Sequence, residues 1–425
     1  MNFINDIYLL MINLSVFLAT ACGVHYFLKL PKNITVLFLA APLVGTSAPI
    51  MVFIGSIVSL ELSPNSTLAT LPLGLMVAGT ALSTIPAALL AGRIGRGKAT
   101  ITGFLSVFTG SLLAAFSIVK ESFLLFCVSA FLIGVSLAFA QQLRFAAIES
   151  VDEKDINKAL SVLMFGGIFS AFLGPEVAVV GQKAFANSIG FAGSYLFLAM
   201  MVCLSIIVLL NFRDTQVNKP KEIQISRPLL QIIRQPIFLI AMLAAALSYG
   251  LMSFIMTSTP LSMNKLYGYD LTDTKLVIQS HIAAMYLPSL VTSWLSRKIG
   301  IRYILLIGSI MFAAVVLIAT QGHSFLHYWW ALVILGIAWN FLFFSGTSLL
   351  HFSYYPHEKH KVQAINDFSV FTFQGFSSLM AGWVLFRYGW SGVIYASIPF
   401  VIIMFALSFY YLDHFSKLKN SNNHN

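Results

Sequence analysis

Thirteen apolar runs, separated by short polar stretches, pattern this chain. They cover approximately residues 8–28, 34–59, 68–91, 100–119, 122–143, 159–181, 190–211, 235–257, 277–296, 303–320, 328–350, 363–385 and 390–412. A helix needs about 20 apolar residues to cross the hydrocarbon core of a bilayer. Backbone amides there find no water, so an apolar run bonds its own backbone by coiling into a helix. The pattern predicts an all-α membrane protein.

A repeat lies inside the pattern. Ile94-Gly95 recurs as Ile299-Gly300, Glu153-Lys154 as Glu358-Lys359 and Ala159 as Ala364, each offset by 205 residues. The first pair sits in a short basic loop between two apolar runs; the others sit in or just after a longer charged loop. Counting from residue 34 puts both loops at the same place in each half. The predicted organisation is an extra N-terminal helix within 1–33, a six-helix bundle at 34–211, a linker at 212–234, a second six-helix bundle at 235–413 and a tail at 414–425. Two similar halves of membrane helices are the pattern of a secondary transporter.

The run at 8–28 stands outside the repeat. A cleaved signal peptide opens on basic residues, whereas residues 1–7 hold Asp6 and no Lys or Arg. The expectation is a retained helix with its N-terminus outside, apart from the transport path. A short helix on the membrane surface is the alternative.

Composition excludes a soluble domain. The chain is 58% hydrophobic and 9% charged, against about 25% charged in ordinary globular proteins. Cys22, Cys127 and Cys203 all lie in apolar runs, with neither disulfide nor metal spacing. No cofactor and no metal site are expected, and His357 and His360 flanking Glu358 read as a solvated loop.

The basic residues orient the chain. If loops 29–33, 92–99, 144–158, 212–234, 297–302, 351–362 and 413–425 face the cytoplasm, 20 of the 25 Lys and Arg lie there, as the positive-inside rule requires. Lys120, Lys183, Lys265, Lys275 and Arg387 remain outside. The net charge of +10 is thus a topology signal and not a nucleic-acid face. The expected setting is the bacterial inner membrane, with a cytoplasmic C-terminus, lipid as surroundings and a monomeric carrier.

Leu90-Ala91-Gly92-Arg93-Ile94-Gly95-Arg96-Gly97-Lys98 resembles the loop signature of the major facilitator superfamily, roughly G-x-L-A-D-R-x-G-R-K. Leu295-Ser296-Arg297-Lys298-Ile299-Gly300-Ile301-Arg302 is its counterpart in the second half. The resemblance implies two six-helix bundles over residues 34–413. It makes Arg93, Gly95 and Arg96 gate or brace candidates. Ala88 and Gly92 stand where the family has Gly and Asp, so the family's acidic brace is missing from its usual place. Gln141-Gln142-Leu143-Arg144, Gly174-Pro175-Glu176, Ile278-Gln279-Ser280-His281, Trp339-Asn340-Phe341 and Asn366-Asp367-Phe368 resemble one bacterial branch of the superfamily that includes riboflavin-type importers.

Ionisable side chains in a membrane are costly, so each is a functional candidate. Glu176 follows Gly174-Pro175, where a kink is expected. Burial disfavours the charged form of a carboxylate, which makes Glu176 the candidate to carry a coupling proton. Its structural alternative is a pair with Arg144 or a bond to a backbone group. Gln279 and His281 are two residues apart and face different sides of a helix, so they are separate candidates. Trp339 and Asn340, an aromatic plane beside an amide, suit a flat and partly polar solute. Gln141, Gln142 and Arg144 are gate or brace candidates, with Arg144 expected to pair with Glu149 or Asp152. Asn366 and Asp367 are expected to cap a helix or bind Lys359 or Lys361.

Three classes of function were open: a secondary transporter of a small organic solute, a membrane enzyme, and a non-transporting sensor. No nucleophile elbow, zinc-protease helix or phosphate loop is present in the sequence, and the longest loop is too short for a sensory domain. The expectation is alternating-access transport coupled to protons. Drug or siderophore efflux by antiport and import of a riboflavin-like vitamin are the alternatives.

Overall fold

The computed structural model describes residues 3–152, 155–186, 189–214, 227–355 and 358–422. Every secondary-structure element among the described residues is helical. Eleven of its helical stretches are long and apolar enough to cross a membrane. The repeat partners Glu153 and Lys154, most of the linker at 215–226, and His357 lie outside the described residues.

Contacts divide the chain into two compact units. One comprises Met1–Pro220 with Met263–Gln279, the other Lys221–Ser262 with Ser280–Asn425. The front helix belongs to the first unit, and one feature differs from a cut at the linker: the segment Met263–Gln279, far along the chain, joins that unit too.

The first unit holds α1 (Phe3–Phe27), α2 (Lys32–Gly45), α3 (Ser47–Ile50), α4 (Ser56–Leu62), α5 (Leu71–Ile94), α6 (Arg96–Val119), α7 (Phe123–Ala140), α8 (Leu143–Glu149), α9 (Ile156–Ala184) and α10 (Phe191–Leu209). The run at 34–59 is one stretch with an irregular middle: Pro42 lies inside α2, and a π-helical segment at Met51–Gly55 separates α3 from α4. Such segments open the backbone ladder and mark sites of local adjustment. Small residues let neighbouring helices approach. A Cβ on Gly134 would strike the backbone of Met76, and one on Gly79 the backbone of Phe131. This is the close packing typical of membrane helices, where no hydrophobic force separates helix from lipid.

The second unit holds α11 (Leu229–Ile233), α12 (Pro236–Leu261), the end of α13 (Leu271–Tyr286), α14 (Ser289–Ile299), α15 (Ile301–Thr320), α16 (Phe325–Leu350) and α17 (Lys359–Asn422). The predicted run 277–296 is broken between α13 and α14, with Pro288 capping the second piece; a proline cannot continue the preceding ladder. The runs at 363–385 and 390–412 are the two helical pieces of α17, one on each side of a kink. Gly389 interrupts the helix there with φ 70°, a conformation glycine adopts without strain.

The duplicated loop is visible in the backbone. Gly95 has φ 91° and ψ 158°, and Gly300 has φ 91° and ψ 149°. Each links a helix ending on Ile to the next with a single residue. An L side chain is strained at such φ values, which explains why glycine recurs there.

Candidate functional site

The first unit contains a buried ion cluster built from three helices. Glu176 lies in the C-terminal half of α9, directly after Gly174-Pro175, which sit inside the helix. A Cβ on Gly174 would lie 2.8 Å from Pro49 Cβ and 3.1 Å from Thr46 O, so glycine is what lets α9 press on α3. The Glu176 carboxylate does not meet Arg144. Lys275 Nζ donates to its Oε2 at 3.1 Å, and Gln279 Nε2 lies 3.4 Å from its Oε1. Gln279 Nε2 also donates to the Phe172 carbonyl at 3.1 Å. Lys275 and Gln279 are four residues apart on α13 and so share a face.

Asp6 of α1 completes the cluster. Its Oδ2 accepts from Lys183 Nζ at 2.6 Å, and its Oδ1 lies 3.8 Å from Lys275 Nζ. Glu176 and Lys275 are almost wholly buried and Asp6 entirely so. Two carboxylates and two ammonium groups therefore share one apolar surrounding with formal charges that cancel. Paired charges are the form in which ionisable groups tolerate burial.

Loop counting missed three of the four members. Lys275 and Lys183 were assigned to outside loops, and Asp6 to the flank of a helix standing apart. Helical spacing held the signal. Glu176 and Lys183 are seven residues apart on α9, two turns on one face. Nothing in the sequence places Asp6 beside them; that contact spans 177 positions. The helix expected to lie apart from the transport path thus contributes a carboxylate to the ion cluster. Phe17 packs it against Phe38 and Phe169, and Lys158 Nζ donates to Leu28 O at 2.5 Å at its other end.

The second unit contains an aromatic cluster. Trp339 and Phe343, one turn apart on α16, stack at 5.1 Å and 10° between ring planes. Tyr249 of α12 stands edge-on to both at 5.0 Å, and Phe371 of α17 lies 6.1 Å from it. Trp339 Nε1 is buried without a hydrogen-bond partner among the described residues. A buried indole donor normally finds an acceptor, so this one is an open polar point on an aromatic wall.

Asn340 does something else. Its Nδ2 donates to Met285 O at 2.8 Å and Ser289 Oγ at 2.7 Å, and its Oδ1 accepts from Thr292 at 2.9 Å. The amide is consumed in bracing the break between α13 and α14. His281 likewise braces: its Nδ1 donates to the Leu332 carbonyl at 2.7 Å. Gln279 and His281 do face different ways, as their spacing requires.

The gate candidates fall into a different arrangement from the expected one. Glu149 pairs with Arg96, which reaches it at 2.8 Å through Nη2 and 3.1 Å through Nε. Arg96 Nη1 donates to Gln142 Oε1 at 2.5 Å. Arg144 instead folds back on its own turn, with Nε 3.4 Å from the Gln141 carbonyl. Gln141 and Arg93 are exposed. The acid missing at Gly92 is supplied from elsewhere. Asp214, just after α10, accepts from the Gly97 amide at 2.9 Å and packs against Gly95, where the α6 N-terminus favours negative charge. Asn366 and Asp367 do not cap: α17 starts at Lys359, two turns earlier, and Asn366 Nδ2 donates to Asp367 Oδ1 at 3.1 Å. Lys361 bonds the Arg227 carbonyl at 2.8 Å.

Comparison with known proteins adds four findings. The chain matches the family model described as the Major Facilitator Superfamily over residues 34–376 and again over 242–424. It is 34% identical to the riboflavin transporter RfnT of Brucella anthropi, over 88% of this chain and 94% of that one. It is also 28% identical to the uncharacterized MFS-type transporter YddS of Bacillus subtilis, over 79% of this chain and 80% of that one. Its fold resembles the crystal structure of a bacterial homolog of the human lysosomal transporter Spinster, in an inward-facing, unoccupied conformation. The TM-score there is 0.65 at 16% identity, over 89% of this chain and 96% of the other.

Proposed function

This chain belongs to the major facilitator superfamily, and from that premise we propose that it is a proton-coupled carrier of a planar, riboflavin-like solute, working by alternating access. The observation that carries the coupling is the burial of Glu176 against Lys275 at 3.1 Å. An acid that gives up its counter-ion on protonation links proton binding to a rearrangement of α9 and α13. The solute class is supported by the likeness to a riboflavin transporter and by the Trp339, Phe343 and Tyr249 rings. These rings suit a flat ring system, and the open Trp339 Nε1 suits an acceptor on its edge. The setting is the bacterial inner membrane, with a monomer among lipids and the C-terminus in the cytoplasm, as the distribution of basic loops favours.

Proteoliposomes bearing the purified protein test this reading with radiolabelled riboflavin and an imposed proton gradient. Accumulation that collapses on adding protonophore, while exchange of inside for outside riboflavin continues, is the expected result. Accumulation that survives the protonophore removes the proton. Riboflavin that moves in neither direction removes the flavin and returns the question to drugs and siderophores.

A further inference from the structure

The Asp6 carboxylate is fully buried, and its two oxygens are used unequally. Oδ2 is fixed by Lys183 at 2.6 Å. Oδ1 has no hydrogen-bond partner among the described residues and lies 3.8 Å from Lys275 Nζ. Lys275 meanwhile sits at bonding distance, 3.1 Å, from Glu176. A shift of about 1 Å would carry its ammonium from one carboxylate into hydrogen-bond range of the other.

We propose that Asp6 is a positioning residue of the transport cycle, the second counter-ion that takes over Lys275 while Glu176 carries the proton. The inference rests on the proton-coupled reading above. The exchange balances. A proton from water on one side joins a Glu176 carboxylate oxygen, and the Glu176–Lys275 ion pair breaks. Lys275 keeps its own protons and its charge and moves onto Asp6 Oδ1. When Glu176 releases its proton to the other side, the lysine returns. The cluster gains one positive charge with the proton and loses it on release. Without Asp6, protonation of Glu176 would leave a buried ammonium without a partner, which is strongly unfavourable.

No other charged group described on these helices competes for the lysine. Lys158 bonds the Leu28 carbonyl and His25 bonds Thr35. Asp273, two residues from Lys275, faces another side of α13. Lys265 and Glu61 pair with each other at 3.2 Å, exposed to solvent. The front helix therefore works as a functional part of the carrier, although it lies outside the duplicated halves.

Acylation of Lys275 by an amine-selective reagent, read by mass spectrometry on the full-length protein in detergent, follows the handover without any need of a solute. E176Q serves as the mimic of protonated Glu176. Lys275 should stay protected in wild type, D6N and E176Q, and react about tenfold or more faster in D6N/E176Q, the scale of one lost buried interaction. Thermal unfolding checks that each variant is folded. Equal labelling of E176Q and D6N/E176Q, whether slow or fast, overturns the proposal. If D6N/E176Q does not fold, E176M decides, because it offers no acceptor at that position. Protection in E176M supports Asp6 as the partner, and exposure overturns it. The protonophore assay above fails or succeeds separately, so loss of coupling in wild type is distinguishable from loss of the handover.

Discussion

Arg227 grips Glu358 with its main chain and its side chain at once. The Arg227 amide and Nε donate to Oε1 at 2.9 and 2.8 Å, and Nη2 donates to Oε2 at 2.5 Å. The Tyr355 amide adds a bond to Oε2 at 3.0 Å, and the carboxylate is fully buried. Arg227 precedes the first membrane-spanning stretch of the second unit and Glu358 lies between two later ones, and the contact ties the segment before α12 to the start of α17.

The Arg227 guanidinium, bonded to the carboxylate, holds Glu358 down from the usual 4.5 to about 2, against the opposing effect of burial. The unfolded chain binds this proton more tightly than the folded one. The contact therefore stabilises the fold above pH 4.5, and that stabilisation drains away as pH falls from 4.5 towards 2. Glu358→Gln should lower Tm by a few degrees at pH 7 and by much less at pH 3. Thermal unfolding in detergent at the two pH values measures the gap, which must narrow in acid.

Glu176→Gln should abolish concentrative uptake and leave solute exchange largely intact. Exchange needs only that the loaded carrier turns over, whereas accumulation needs protonation to differ on the two sides. Riboflavin counterflow and gradient-driven uptake in the same vesicles separate the two. Normal pH-dependent accumulation by this variant would refute the role and turn attention to His281 and Asp367.

Trp339 and Asn340 are neighbours with opposite expected phenotypes. Trp339→Phe keeps a ring for stacking and removes the open Nε1 donor. It should raise the KM for riboflavin about tenfold, the worth of roughly one net hydrogen bond, with Tm unchanged. Asn340→Ala removes the bonds to Met285 O, Ser289 Oγ and Thr292 Oγ1, of which Thr292 keeps its bond to the Pro288 carbonyl. It should lower Tm by several degrees, about 1–3 kcal/mol of unsatisfied polar groups, with KM little altered in the folded fraction. Paired kinetic and unfolding measurements on both variants check the split.

A reporter fused after Asn425 should be active in the cytoplasm, because 20 of the 25 Lys and Arg lie in loops assigned to that side. Periplasmic activity of the fusion would invert the topology.

Much of this molecule is legible one-dimensionally. Apolar runs of crossing length announce the helices, and the recurrence of Ile-Gly at 94–95 and 299–300 announces matching turns, later seen as near-identical backbone angles at Gly95 and Gly300. Hydropathy reads poorly where a proline divides a run, as at Pro288, and reads well at Gly389, where the helical backbone breaks between the runs 363–385 and 390–412. It reads the ion cluster worst. A lysine near the end of an apolar run looks like a loop residue, and only three-dimensional packing shows Lys275 buried on Glu176. Asp214 is the same lesson at the loop signature: the acid that Gly92 lacks arrives from a residue 122 positions away.

The contact between Asp6 and Lys183 also sets a timetable for synthesis. Asp6 leaves the ribosome 177 residues before its partner, and Lys275 follows later still. At about 5–20 residues per second, the carboxylate waits roughly 9–35 seconds before Lys183 has been made. During that interval α1 has apolar contacts, lipid and the polar contacts at its far end, His25 with Thr35 and Leu28 O with Lys158, to hold it in the membrane. The nascent protein therefore assembles its ion cluster late, after the whole first bundle has been inserted, and a stall in translation between α1 and α9 would leave a helix in the bilayer with an unanswered charge.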